Sequence, residues 1–502
     1  MFTRDELIAA AGTRPQGGLL PLRFAGGAID SRGVHHDELF VALKGEHADG
    51  HAYIPQAIKA GAAAILCARP NDEATARGVP QIIVSDPLDV LQRLARNHLR
   101  RQPRTRVIAV TGSNGKTSVK EATAALLQQL APTLKTEGNL NTETGLPLTL
   151  LRLSPEHTFA VLEMGAQWVG EISALCRIAP PDIAVCTVVG PEHLEFFGSL
   201  ENVAKGESEA IAALDSSGVA VLNDDDRAVR EMARCTKARV LTYGHRAVAM
   251  VRAQRMYGDT LSGMRFTISY GGQRERVVLN IPGAHAITTA LAAASIALAC
   301  GMDLPAAAAA LSEIRPVKRR GEIKQAANGA RLVDDSYNAN RQSAIAAVEM
   351  LKGAKIEKGG RRWFVFGDML ELGTHSAAEH AAVGKVAAGS VDELVLVGAD
   401  VAATADAALQ AGMPAERVHL FRAPLSQPAE LAAARLEAAS LVRRALHRDD
   451  VVLVKGSLGV GMDVVVAELQ EHRGAKHAQD DIEQRLGPLT QRTATDQLTP
   501  RP

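Results

Sequence analysis

Val107-Ile108-Ala109-Val110-Thr111-Gly112-Ser113-Asn114-Gly115-Lys116-Thr117-Ser118 is the stretch on which the fold turns. Val107 to Val110 is a short apolar, β-branched run, which suits a strand buried in a parallel sheet. It stops at a Thr-Gly-Ser-Asn-Gly turn, and the pattern then predicts a helix from Lys116 to about Leu130. Strand, glycine loop and helix N-terminus together aim backbone N–H groups and a positive dipole end at an anion. Lys116 adds a point charge for β- and γ-phosphates, and Thr117 a hydroxyl for Mg²⁺. The strict phosphate-loop pattern has its first glycine where Val110 stands, so Gly112 marks a variant. An ordinary βα turn with two glycines is the competing reading. The Gly-Lys-Thr opening favours nucleotide phosphate, with Thr111, Gly112, Ser113, Asn114, Gly115, Lys116, Thr117 and Ser118 as the contact set.

Outward from the loop the texture is α/β in three domains. Residues 1–102 carry strand candidates at 39–43, 63–66 and 81–84 and helices at 54–60 and 87–100, a small N-terminal α/β domain. Gln102-Pro103-Arg104 reads as its linker. Residues 103–315 form a central phosphate-loop domain with further strands at 158–162, 183–187 and 219–222. Intervening helices imply a mostly parallel sheet covered on both faces. Between Val240 and Ile281 short alternating strands with Gly-Asp and Gly-Gly turns suggest an antiparallel patch, followed by an alanine-rich helix from Ala286 to Cys300. Residues 316–473, with strands at 331–334, 363–366, 393–397 and 450–454, read as a C-terminal Rossmann-like α/β domain. Residues 474–502 have few apolar side chains and are expected to be a disordered tail.

Composition narrows the classes. A length of 502 residues allows about three domains. The formal net charge of zero gives no support to a nucleic-acid partner. No apolar run is long enough for membrane insertion, and no signal-peptide pattern opens the chain. The five cysteines lie far apart without CxxC or Cys/His metal spacing, as for reduced thiols. A cytoplasmic monomer is expected.

Ligands of open α/β sheets gather at the carboxyl ends of strands. Glu163 ends the strand after the loop, where its carboxylate could share Mg²⁺ with Thr117; a solvated strand-end glutamate is the alternative. His193 follows the next strand and could ligate a second metal or be an ordinary loop histidine. Asp334-Asp335-Ser336-Tyr337-Asn338-Ala339-Asn340 offers acids, amides and a ring for a nucleoside, although Asp and Asn are also common loop residues. Arg319-Arg320 could reach phosphate from a neighbouring domain or stand in solvent. Asp30-Ser31-Arg32 and Asp49-Gly50-His51 are equally compatible with plain turns.

Together these strings resemble the Mur ligase family, ATP-dependent amide-forming enzymes of peptidoglycan precursor synthesis. The resemblance runs from Asp30 to about Leu469. Beyond the strings above, it is carried by Gly138-Asn139-Leu140-Asn141-Thr142, Leu162-Glu163-Met164-Gly165, Gly170-Glu171-Ile172, His193-Leu194-Glu195, Gly367-Asp368-Met369 with Glu371-Leu372-Gly373, and Lys455-Gly456-Ser457. Tyr-Asn-Ala-Asn and Gly-Asp-Met…Glu-Leu-Gly resemble the dipeptide-adding branch, and the Asp-Asn-Pro-Arg string of the neighbouring branch is absent. The resemblance implies ligation of D-alanyl-D-alanine to UDP-N-acetylmuramoyl-tripeptide through an acyl phosphate, with ATP and Mg²⁺. It further implies Ser31, Arg32, Asn139, Asn141 and Thr142 for the UDP substrate, and Thr117, Glu163 and His193 for magnesium. His285, Arg320, Asp335 and Asn338 would join the loop in holding the nucleotide, and Lys116, His193 and Glu207 would be catalytic.

Several positions depart from the family pattern. The family's Asn before the histidine region is Val188. Its Gly-x-His-Asn-x-x-Asn motif reads Gly283 to Thr289 here, with Ala286 and Thr289 replacing both amides; the Pro after Tyr-Asn-Ala-Asn is Arg341, and the Arg after Lys-Gly-Ser is Leu458. The family also carries a lysine fourteen residues after the histidine, carbamylated to become an anion; ungapped counting reaches Glu207. Glutamate already bears a carboxylate, so direct supply of the charge is expected, with a slip to Lys205 or a solvated helix residue as alternatives. Other readings for the whole chain remain: a different amino-acid or folylpolyglutamate-type ligase, or a non-catalytic nucleotide-binding relative.

Overall fold

The computed structural model describes residues 1–45 and 48–471; the expected tail at 474–502 lies outside them. The strand Arg106–Thr111 sits inside a nine-stranded sheet, flanked in parallel by Phe159–Glu163 on one side and Ile183–Cys186 on the other. From Arg106–Thr111 the chain first runs out to the edge strand Thr133–Lys135, returns through Phe159–Glu163, and then crosses to Ile183–Cys186. That reversal makes the carboxyl end of Arg106–Thr111 a topological switch point, where ligands of such sheets lodge. The β-branched run is buried as expected: Val107 and Ala109 pack into one apolar cluster, Ile108 and Val110 into the cluster on the other face.

Beyond Ile183–Cys186 come Val219–Asn223 and Arg239–Gly244, both parallel. The antiparallel patch therefore begins later than the sequence suggests. Arg239–Gly244 is reached by a helical crossover from Val219–Asn223, which dictates parallel pairing. Antiparallel pairing starts only where Val251–Asp259, Gly263–Tyr270 and Gln273–Leu279 follow one another as hairpins.

Ahead of this sheet, Gly26–Ala28, Glu38–Val41, Ala64–Cys67 and Gln81–Ile83 form a four-stranded parallel sheet. The helix Pro87–Arg100 follows, N-capped by Asp86 and opened by Pro87 as sequence rules anticipate. Its Leu91, Leu94 and Leu99 share an apolar cluster with Leu146, Leu150 and Leu162 of the central block. The last sheet has six strands. Arg331–Asp335, Val451–Lys455, Arg362–Gly367, Glu393–Val397 and Val418–Phe421 are parallel, and Glu322–Gln325 pairs antiparallel at one edge. Glu322–Gln325, Val418–Phe421 and Thr133–Lys135 have no counterpart in the strand candidates above. Each is short and lies at a sheet edge, where one partner and partial exposure leave little hydrophobic signal.

Candidate active site

The loop after Arg106–Thr111 needs its glycines. Gly112 and Gly115 have φ of 122° and 80°, and a Cβ at Gly112 would lie 2.1 Å from Thr187 Oγ1. Ser113 ties the loop down, its hydroxyl donating to Gly190 O at 3.1 Å and accepting from Gly190 N at 2.9 Å. The helix Lys116–Gln128 opens with no side-chain cap, so its first N–H groups remain available to an anion. Lys116 Nζ donates to Gly112 O at 2.7 Å and pairs with Glu192 Oε2 at 3.0 Å. Burial opposes its charge, but Glu192, Glu207 and Glu163 outweigh that and hold its pKa above the usual lysine value.

Register places Glu163 beside Val110, at the same sheet edge as the loop. Its Oε1 accepts from Thr117 Oγ1 at 3.2 Å and from Asn141 Nδ2 at 3.1 Å. Arg320, from the segment leading into the third block, donates to the same Thr117 hydroxyl at 3.0 Å and lies 4.2 Å above the Tyr337 ring. Thr117 Oγ1 and Glu163 Oε1 present oxygen donors side by side, while Glu163 Oε2 is buried without a hydrogen bond, 3.6 Å from Lys120 Nζ. Hard oxygen ligands with one carboxylate fit Mg²⁺ shared with a phosphate. An all-protein cage is a different matter: among the described residues no three His, Cys, Asp or Glu side chains cluster to hold a metal.

His193 joins another group of charges. It sits in the left-handed region at φ 52°, its Nδ1 meets Glu371 of the third block, and its Nε2 is 3.8 Å from Glu192 Oε1. Burial works against its protonation, but Glu371 and Glu192 raise its pKa above the usual histidine value. Expected metal ligand His193 is thus engaged by two carboxylates, while Thr117 and Glu163 face each other.

Glu207 lies on the helix Leu200–Ala212 and is 3% exposed, which removes the solvated alternative. Its Oε2 accepts from the Thr111 hydroxyl and, at 2.7 Å, from the Gly112 N–H. The carboxylate thus grips the start of the glycine loop. Burial is the main influence on it and raises its pKa despite Lys116 and these hydrogen bonds. Lys205, two residues earlier on the same helix, is exposed.

The third block closes over the loop. Asn340 Nδ2 donates to Asn114 Oδ1 at 2.8 Å, and Asn114 Nδ2 donates to Gln342 Oε1 at 3.1 Å. Gly190 makes room for Gln342, since a Cβ there would come within 2.0 Å of Gln342 Oε1. Lys455 Nζ bonds Asp335 Oδ2 at 2.6 Å and the Asn338 carbonyl at 2.8 Å. Two cavities result. One of about 400 Å³ runs from the loop past His285, Asp335 and Asn338. The other, about 580 Å³, reaches Asn139, Asn141, Thr142 and His193. They meet at Lys116, Glu163 and Arg320.

Ser31 and Arg32 line neither cavity. They occupy a short turn capped by Asp30, with the Ser31 hydroxyl on Gln56 Oε1 at 3.0 Å and Arg32 paired with Asp30 at 2.6 Å. Asp49-Gly50-His51 is likewise a turn, His51 bonding Asp49 at 2.6 Å and accepting from Ala68 N at 2.9 Å. The sequence pattern alone assigns no role to Glu192, Gln342, Glu371 or Lys455. Glu192 stood beside the histidine it serves, and that adjacency was the available signal.

The descriptions "Mur ligase family, catalytic domain", "Mur ligase middle domain" and "Mur ligase, glutamate ligase domain" match residues 24–99, 110–297 and 319–458. The chain is 38% identical over 445 residues to the UDP-N-acetylmuramoyl-tripeptide--D-alanyl-D-alanine ligase of Escherichia coli (strain K12), covering 88% of this chain and 93% of that protein. Among solved structures it is similar to MurF from Acinetobacter baumannii, with a TM-score of 0.80 and 30% identity over 93% of this chain and 98% of that one. It is also similar to the MurF ligase of Thermotoga maritima in complex with ADP, with a TM-score of 0.74 and 26% identity over 92% and 98% of the two chains.

Proposed function

The chain belongs to the Mur ligase family, and we propose that it joins D-alanyl-D-alanine to UDP-N-acetylmuramoyl-tripeptide with ATP, in peptidoglycan precursor synthesis. The observation that carries this reading is the meeting of two cavities at Lys116, Glu163 and Arg320. A carboxylate is a poor electrophile until phosphorylated. Its oxygen attacks the γ-phosphorus of ATP, ADP leaves, the dipeptide amine attacks the acyl carbon, and inorganic phosphate departs. Such a site has mainly to position anions and neutralise their repulsion.

In this reading the cavity past His285, Asp335 and Asn338 takes the nucleoside, and residues 111–118 take its phosphates. Glu192 acts as a placeholder on Lys116, released when a phosphate competes for that ammonium. Thr117 and Glu163 would hold Mg²⁺, which neutralises phosphate charge when bound. Asn139, Asn141 and Thr142 border the acceptor carboxylate, and Ser31 and Arg32 serve the distant UDP end. His193, gripped by Glu192 and Glu371, orders the wall between the two blocks, and Glu207 supplies a fixed anion beneath the loop. The functional units are 1–102, 103–315 and 316–473, working as a cytoplasmic monomer. Among the described residues no helix is long and apolar enough to cross a membrane.

The test is phosphate release. Release should require ATP, Mg²⁺, UDP-N-acetylmuramoyl-tripeptide and D-alanyl-D-alanine together, and a panel varying the third peptide residue then defines the acceptor. Release with folate and glutamate instead would favour a folylpolyglutamate-type ligase. Nucleotide binding without release under any combination would favour a non-catalytic relative.

A further inference from the structure

We infer that Lys120 is a positioning residue for Glu163: its ammonium holds the inner oxygen of that carboxylate, keeping the outer oxygen aimed with Thr117 at the cavity. The inference rests on the reading of Thr117 and Glu163 as the cation-facing pair. Lys120 lies one helical turn past Lys116 and lines neither cavity, and its side chain is 1% exposed. Its Nζ stands 3.1 Å from Glu121 Oε1 and 3.6 Å from Glu163 Oε2, yet makes no hydrogen bond. Glu163 Oε2 is equally buried and equally without one. The second oxygen of Glu121 meets Lys135, whose side chain is 38% exposed. Alternating charges therefore run inward from the surface through Lys135, Glu121 and Lys120 to Glu163.

A buried ammonium without hydrogen bonds is a poor way to stabilise a fold. Whole buried ion pairs are often replaced by apolar side chains at no loss, whereas removing one partner leaves the other charge uncompensated. What Lys120 does supply is asymmetry. The two oxygens of a carboxylate are chemically equivalent, and Glu163 has cations within reach on its cavity side, Lys116 and Arg320. Turned toward either, it would neutralise a charge needed by phosphate and cease to be a ligand. With Lys120 behind it, Oε2 stays inward while Oε1 faces Thr117 at 3.2 Å and Asn141 at 3.1 Å. Mg²⁺ tolerates little displacement of its ligands, so a residue that fixes one oxygen acts on cation affinity without touching the cation. Removing the ammonium has a second, opposite consequence, since Glu163 becomes the stronger anion. Orientation governs the outcome here, because a carboxylate swung onto Lys116 is lost as a ligand altogether.

Lys120→Met in the full-length protein tests this, with Mn²⁺ binding to the ADP complex followed by electron paramagnetic resonance. The dissociation constant for Mn²⁺ should rise about tenfold or more, while ADP binding without metal should be unchanged; some loss of unfolding temperature accompanies a carboxylate left without its cation. Glu163→Gln should show the same loss, and the double variant should be no worse than Glu163→Gln alone. Wild-type or tighter Mn²⁺ binding in Lys120→Met overturns the inference, as do additive losses in the double variant or an equal loss of metal-free ADP binding. Failure of the wild-type ADP complex to take up Mn²⁺ instead overturns the Thr117–Glu163 pairing itself, and the inference with it.

Discussion

Where the first block meets the second, Leu91, Leu94 and Leu99 pack into one apolar cluster with Leu146, Leu150 and Leu162. Where the third block meets the second, the contacts around the site are polar: Asn340 and Gln342 on Asn114, Arg320 on Thr117, Glu371 on His193. Leu261, at a hairpin tip of the central sheet, enters the third block's core and tethers it away from the site. An apolar seam loses its stabilisation as soon as water enters, so it stays shut. Hydrogen bonds across a polar seam exchange for bonds to water or phosphate at little net cost. The first two blocks are thus built to stay together, and the third to let nucleotide in and close upon it.

The sharpest way to break this contrast is Lys116→Ala. Lys116 lines both cavities beside the polar seam, so its removal should abolish ligation, by at least about a hundredfold, while the unfolding temperature stays near wild type. Turnover close to wild type would end the phosphate-loop assignment.

The two seams also differ in how much of them could be read in the sequence. Val107 to Val110, the glycine loop and the capped helix from Pro87 follow local rules of burial, φ and capping, and the structure bears them out at nearly the expected bounds. Hence the parallel core and its apolar seam were legible. Gln342 and Glu371 owe their partners to chain segments far away in sequence, and nothing in their neighbours announces the contact. The nearly complete match of quoted strings to the Mur ligase family supplied the candidate residues. It did not supply the clasp between them.

Glu207 gives the next largest effect. It grips Thr111 and Gly112 where the apolar sheet becomes the phosphate loop. Glu207→Ala should lower ligation about 10–100-fold, Lys205→Ala should remain near wild type, and bicarbonate should not stimulate the wild-type enzyme. An active Glu207→Ala beside an inactive Lys205→Ala, with activity restored by bicarbonate, would reassign the anionic role to Lys205.

A smaller effect reports on the seams directly. Small-angle scattering should show compaction when ATP analogue and UDP substrate are both present, since the proposed nucleotide contacts are split between the loop and the third block. Gln342→Ala should expand the ligand-free protein, because it removes one member of the Asn114 clasp. No change on adding both ligands counts against closure of the third block.

The smallest expected effect tests the apolar seam through an acid buried beside it. Glu6 is 4% exposed; its Oε1 meets His98 Nδ1 at 2.9 Å, and the other His98 nitrogen faces the Leu153 carbonyl at 3.1 Å. The contact thus links the first helix, the helix Pro87–Arg100 and the central block. Burial raises the pKa of Glu6, but the bonds from His98 and from the N–H and hydroxyl of Thr3 outweigh it and leave the folded value below that of a free glutamate. A depressed folded pKa contributes stability that is present above the unfolded value and lost as pH falls through the folded one. Glu6→Gln should therefore lower stability at pH 7 by about 1–2 kcal/mol, and the gap from wild type should shrink as pH falls below the ordinary glutamate range. The transition of the first and second blocks should shift as one unit, because they share the core this contact borders. If calorimetry showed the first block melting apart from the second, or a gap that stayed constant from pH 7 to pH 3, the fused seam would lose its support.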